Sequence, residues 1–328
     1  MNTFPFHIKR IEIDSMFGTK DICWDILPNV NILGGTNGSG KSSIIKACFS
    51  ILDNGSIEEH KLIYLISKIR IILVNDTKIE WDKEETEQVN NHKFDKDYEY
   101  RSIIYPGNNK GKFILQRTKV TDKDGNKILF DELSKELEVH LINSFEHRLV
   151  DTQNVTIDNN DRTYLDYLIH NEIFQRNSVF SGVFETLIET LTKSNMEEIR
   201  NIIRQPKVKN FMLLYNMLES FMKEYDVPVN NQIKFKRIGG KEISYTDLSM
   251  GEKQLVLLFL MVNNTAGRPC IFFMDEPDLG MHVEWKEILI KKMREMNPNM
   301  QIILTTHAPS MIEGWFENVK EVTQITKK

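Results

Sequence analysis

Residues 34–43 read GGTNGSGKSS, and few short stretches restrict a fold as strongly. Gly35–Ser42 fits G-x-x-x-x-G-K-[ST] at every fixed position. Before it, Val30-Asn31-Ile32-Leu33 reads as a short buried strand. After it, Ile44, Ile45, Cys48, Phe49 and Leu52 recur at helical spacing. A glycine loop between a strand and a helix turns backbone N–H groups inward at the positive end of the helix, which makes an anion cradle. Gly35, Asn37, Gly38, Ser39, Gly40 and Ser43 are therefore expected around a phosphate chain. Lys41 is expected to reach its outer oxygens, and Ser42 to offer a hydroxyl to Mg²⁺.

A phosphate cradle binds, but hydrolysis also needs a carboxylate for the metal and a group that handles water. The apolar run Cys270-Ile271-Phe272-Phe273-Met274 ends in Asp275-Glu276-Pro277. A buried strand carrying two acids at its carboxyl end fits the crevice where open parallel sheets bind ligands. Asp275 is the expected metal partner and Glu276 the expected general base. A second apolar run, Gln301 to Leu304, ends in Thr305-Thr306-His307, so His307 is expected to face the same phosphate or water. In Asp247-Leu248-Ser249-Met250-Gly251-Glu252-Lys253-Gln254, Ser249 and Glu252 have the spacing of a capping box ahead of the apolar LVLLFLMV. That helix start is a second anion-binding end as well as an ordinary cap.

Taken together, GGTNGSGKS, LSMGEKQ, IFFMDEP and TTHAP resemble Walker A, signature, Walker B and switch-histidine motifs of the ABC-type ATPases, in order and across most of the chain. The resemblance implies an α/β P-loop ATPase head, ATP and Mg²⁺ as ligands, and a head-to-tail homodimer. ATP would then lie between Lys41 of one copy and Ser249, Gly251 and Glu252 of the other. The residues after Walker B, Pro277-Asp278-Leu279-Gly280-Met281-His282, differ from the SALD form of transporter cassettes. They resemble the OLD-like branch, related to RecF and SMC heads and to the PARIS-type, Septu-type and retron-associated defence ATPases. His282 stands where the family has a loop aspartate. For the family's Q-loop glutamine, Gln153 is the first expectation and Gln116 the second.

Between the motifs, KIRIILVN, TKIEWD, EYRSIIYP and KFILQRTKV alternate as strands, and DKDGNK reads as a hairpin turn. TYLDYLIHNEIF and NFMLLYNMLESFMKEY follow with helical spacing, and Pro206 interrupts them. No heptad pattern lasts the three or four repeats of a coiled coil. The expected organisation is one head: 1–60 and 231–328 as nucleotide-binding core, 61–155 as antiparallel β-subdomain, 156–230 as compact helical insert without a long coiled coil.

The net charge of −5 excludes coating nucleic acid by bulk charge, though not a local basic groove. Three separated cysteines suggest neither zinc nor disulfides. The absence of an apolar run of about 18 residues, and of a secretory leader, points to a cytoplasmic protein without a membrane span. About twenty residues follow His307, and neither they nor the rest carry a recognisable nuclease arrangement. The expected output therefore passes to a separate effector, a nuclease or toxin, in an anti-phage defence complex. The alternatives are a RecF-like repair ATPase that binds DNA through Lys- and Arg-bearing segments such as KGKFILQRTKV, and an importer cassette.

Overall fold

The computed structural model describes residues 4–86, 93–104, 113–143, 163–192, 196–230 and 232–327. The first strands are β1 (Ile8–Met16), β2 (Lys20–Asp25), β3 (Val30–Gly34), β4 (Lys68–Leu73), β5 (Lys78–Thr86), β6 (Glu99–Ile104), β7 (Phe113–Thr121) and β8 (Lys127–Ile128). The later ones are β9 (Val139–Asn143), β10 (Tyr225–Asp226), β11 (Lys234–Arg237), β12 (Glu242–Ser244), β13 (Cys270–Asp275), β14 (Met300–Thr305), β15 (Val319–Glu321) and β16 (Thr326–Lys327). The helices are α1 (Lys41–Asn54), α2 (His60–Leu65), α3 (Phe130–Ser134), α4 (Tyr164–Val179), α5 (Val183–Leu191), α6 (Met196–Ile203), α7 (Pro206–Phe221), α8 (Met250–Asn264), α9 (Val283–Met296) and α10 (Val322–Ile325).

Two sheets enclose α1. The parallel sheet has the order β15-β3-β14-β13-β9. Its central strands are buried throughout, and largely apolar, because both of their faces are covered. Phe272, Met274, Ile302 and Leu304 point to the side where α4, α7, α8 and α9 pack. Ile271, Phe273 and Ile303 point to the side of α1, where Ile44, Ile45, Cys48, Ile51 and Leu52 meet them. The antiparallel sheet, β16-β2-β1-β4-β5-β7-β6 with β8 on β7, covers the other side of α1. Its inner face supplies Ile11, Ile13, Trp24, Ile69, Ile71 and Trp81 to the same core.

The outer face of that sheet is charged and paired. Arg70 bridges Glu12 and Glu80, Arg117 bridges Asp82 and Glu84, and Lys119 meets Asp97 at 3.1 Å. The basic residues of FILQRTKV are thus already neutralised by their cross-strand neighbours.

Two boundaries differ from the sequence reading. β1 and β2, grouped there with the nucleotide-binding core, hydrogen-bond into the antiparallel sheet through β1–β4 pairing. β9, grouped with the antiparallel part, pairs parallel to β13, with Asn143 opposite Asp275. Alternation shows that one face of a strand is buried, not which sheet it joins. Residues Asp82–Thr86 continue β5 beyond TKIEWD and pair with Phe113–Arg117.

The helical segment forms α4 to α7, with Pro206 at the first position of α7, where a missing N–H costs nothing. Among the described residues no helix exceeds 16 residues, so no coiled-coil arm is present there. None is long and apolar enough to cross a membrane.

Candidate functional site

The loop between β3 and α1 lies at the carboxyl end of the parallel sheet. Gly38 (φ 76°) and Gly40 (φ 105°) adopt the left-handed region that favours glycine. At Gly40 sterics add to this: a Cβ there would lie 2.5 Å from Met16 Cε and 2.8 Å from the Phe17 ring. Asn37 is exposed at the loop's crest, and Ser43 is half-buried in the first turn of α1. Lys41 is only 5% exposed, and its Nζ donates to the carbonyls of Gly35 (2.8 Å) and Thr36 (3.2 Å). Two backbone carbonyls hold this buried ammonium in place. Among the described residues Ser39 Oγ, in the same loop, is buried without a hydrogen-bond partner. Both features fit a cradle shaped for an anion.

The acids converge on the same place. Ser42 Oγ–H donates to Asp275 Oδ1 at 2.8 Å. Thr305 Oγ1–H donates to that oxygen at 2.7 Å and accepts from the Glu276 N–H at 3.1 Å. Asp275 is 1% exposed, and the Ser42 and Thr305 hydroxyls both hold its Oδ1. A hydroxyl and a carboxylate at one point are hard oxygen donors of the kind that Mg²⁺ takes while keeping most of its waters.

Glu276 has φ 49°, a left-handed conformation outside glycine, which costs on the order of 1–3 kcal/mol and clusters at functional sites. The Thr305 carbonyl and hydroxyl both fix its N–H. His307 Nε2 lies 3.5 Å from Glu276 Oε1, with the imidazole 43% exposed at the mouth. Thr306 Oγ1–H donates to the buried Asp278, whose other oxygen pairs with Lys286 at 3.2 Å.

The signature residues stand apart at the start of α8. Ser249 and Glu252 form the expected reciprocal cap: Ser249 N–H donates to Glu252 at 2.7 Å, and Glu252 N–H to Ser249 Oγ at 3.4 Å. Among the described residues no hydrogen bond joins Ser249, Gly251 or Glu252 to the phosphate loop. Gly251 packs on the segment after the acids, where a Cβ would lie 2.3 Å from the Gly280 carbonyl oxygen. Gln254 Nε2–H donates to the Pro277 carbonyl at 3.0 Å. One short segment, 276–281, therefore carries Glu276 and braces the signature helix. Lys253 pairs with the buried Asp166 at 2.9 Å, tying α8 to the first turn of α4.

Gln153 lies outside the described residues, in the stretch that follows β9. Gln116 is not a loop residue: it is buried on β7, bonded to the Ile57 N–H and carbonyl and to Trp81 Nε1. It closes backbone valences under the sheet, so it has no access to a ligand. His282 precedes α9 with no capping bond and lies against Trp285, ring centroids 5.1 Å apart.

Sequence reasoning missed Thr305 as the buried hinge of the acids, and Phe17. That ring, 37% exposed at φ 54° between β1 and β2, flanks Gly40, with Lys20 Nζ 5.9 Å from its centroid. Its one sequence signal, Phe17-Gly18 in a turn, is too common to single out.

With this geometry in place, the family model of the RecF/RecN/SMC N-terminal domain matches residues 7–328, nearly the whole chain. The chain belongs to that family. It is an ABC-type P-loop ATPase head, α/β in class. Its fold is similar to the SMC head bound to the C-terminal winged-helix domain of ScpA, with a TM-score of 0.52 at 14% identity, covering 96% of this chain and 93% of that one. At that identity the likeness concerns the fold alone. Septu protein PtuA of Bacillus thuringiensis is 22% identical over 325 residues, 94% of this chain and 73% of that protein. The Retron Vc95 probable ATPase of Vibrio cholerae serotype O1 biovar El Tor is 27% identical over 168 residues, 45% of this chain. The match spans 30% of that retron protein's own length.

Proposed function

We propose that this chain binds and hydrolyses ATP between two copies of itself, and that the open and closed states control a separate effector protein in a bacterial defence complex. The observation that carries the catalytic part is the meeting of Lys41, Ser42, Asp275, Glu276, Thr305 and His307 at the carboxyl end of one sheet. In this reading Lys41 Nζ leaves its two carbonyls for the β- and γ-phosphate oxygens. The loop N–H groups from Gly35 to Ser43 hold the rest of the chain of phosphates. Phe17 stacks on the base. Ser42 Oγ and Asp275 would hold Mg²⁺, which when bound neutralises phosphate charge. Glu276 accepts the proton of the attacking water as its oxygen bonds to the γ-phosphorus and the bridging oxygen leaves with ADP. His307 hydrogen-bonds the water or the γ-phosphate and keeps Glu276 aimed.

Ser249 and Gly251 would meet the γ-phosphate bound to the second copy, since within one chain they stand apart from the loop. Segment 276–281 then joins the base at one nucleotide to the signature serving the other, so hydrolysis and dimer opening are coupled through Gly251–Gly280 packing. The defence assignment is supported by the two similar proteins named above, and is an analogy rather than a consequence of the site. Arg117 and Lys119, two of the basic residues behind the repair alternative, are ion-paired on the sheet, which weakens that reading.

The test is to isolate Glu276→Gln together with the products of neighbouring genes, in ATP and Mg²⁺. A second polypeptide in fixed ratio supports effector control. A bare dimer carrying nucleic acid would replace it with the repair reading.

A further inference from the structure

At the end of the antiparallel sheet remote from the phosphate loop, a cavity of about 530 Å³ opens between the β4–β5 turn, the β7–β8 turn and α3. Its volume is in the range of sites that hold a discrete ligand. Phe6, Ile128 and Leu133 form its apolar floor, and Lys123, Glu132 and Glu136 stand on its rim. Asp122 is also on the rim, but its carboxylate is consumed by its own turn, accepting from Asp124 N–H, Asn126 N–H and Asn126 Nδ2.

Glu132 and Glu136 are different. The bonds Glu136 N–H to Leu133 and Leu137 N–H to Leu133 continue the turn of α3, so the two side chains lie one turn apart on one face. Like charges at that spacing repel. Both are exposed, and neither forms an ion pair among the described residues. Among the described residues that line the cavity, Lys123 is the one cation against the carboxylates of Glu132 and Glu136, and these over an apolar floor are complementary to a cation on an apolar stem.

We propose that this cavity docks a segment of a partner polypeptide that presents a lysine or arginine flanked by aliphatic side chains. Phe6 leads directly into β1, and β1 ends at Met16, whose methyl abuts Gly40 of the phosphate loop. At about 3.4 Å per residue, the strand connects the two sites over roughly 30 Å. The proposal extends the reading that the head reports to a separate polypeptide. None of the proposed catalytic residues lines the cavity.

The test uses the full chain with methyl-labelled isoleucine, Ile128 being assigned from Ile128→Val. Three probes are titrated: acetyl-Leu-Lys-Leu-amide, acetyl-Leu-Glu-Leu-amide and hexylamine. The lysine peptide should shift the Ile128 methyl signal saturably, and the glutamate peptide should not. Glu132→Gln combined with Glu136→Gln should weaken the lysine peptide about tenfold, leaving the other methyl signals and the peptide-free ATP hydrolysis unchanged. An equal response to both peptides, or none at Ile128, overturns the proposal. So does tighter binding of hexylamine than of the lysine peptide, which would make the cavity a small-amine site. Hydrolysis is read in the same samples, so failure of the ATPase reading is seen separately.

Discussion

Replacing Thr305 with valine isolates how the two acids are held. Its hydroxyl donates to Asp275 Oδ1 at 2.7 Å and accepts from Glu276 N–H at 3.1 Å. The residue is fully buried, so water cannot take over either bond. A hydrogen bond to a charged group contributes about 1.5–3 kcal/mol. The Glu276 N–H keeps the Thr305 carbonyl at 3.1 Å, so its loss is the smaller part. Thr305→Val should therefore destabilise the nucleotide-free chain by about 1.5–3 kcal/mol in denaturant unfolding. If the same bond positions Asp275 in the transition state, kcat/KM for ATP should fall roughly ten- to 150-fold. Thr305→Ser keeps the hydroxyl and should retain most of both. A valine variant with native stability and rate would refute the argument. A serine variant damaged as badly as valine would show that the methyl, and not the hydroxyl, does the holding.

Gly251→Ala must displace either α8 or the Gly280 carbonyl, and should cost about 1–3 kcal/mol of stability together with a loss of hydrolysis; an unchanged rate would remove Gly251–Gly280 packing from the mechanism. Phe17→Ala should raise KM for ATP with little change in kcat, by the roughly 1–3 kcal/mol of base–aromatic stacking, and a pure kcat effect in steady-state assays would contradict stacking. His7 is buried, which lowers its imidazole pKa below 6.5, with Nε2 bonded to the Asn299 carbonyl. The unfolded chain then binds the extra proton first, so stability should decline as pH falls through 6.5 toward the folded value. Unfolding of His7→Asn across the same range should show a shallower slope, and an equal slope would clear His7.

The phosphate loop, the acids and the cap were legible because each is fixed by a local rule. Glycines must accommodate positive φ, a strand buried on both faces must be apolar throughout, and a Ser-x-x-Glu spacing closes on itself. What stayed hidden depends on distant partners. Gln116 looks like any polar residue of a strand until Ile57 and Trp81 arrive to occupy it. Thr305 and Thr306 read as the polar end of a strand, yet each fixes a different buried acid from β13 and its following turn. That β1 pairs with β4 is likewise not readable from the sequence, because alternation carries no record of a pairing partner. Phe17 sits beside Gly40 only because the β1–β2 hairpin folds back on the loop.

The central claim is that two copies of this chain close on ATP and that Glu276 opens them by hydrolysis. The direct measurement is the mass of Glu276→Gln in solution, with and without ATP and Mg²⁺, with the bound nucleotide identified. A shift from one chain to two that retains unhydrolysed ATP, and that is lost when Ser249→Arg is added, is the predicted result. A variant that turns over ATP at the native rate, or that binds ATP without pairing, would contradict the account.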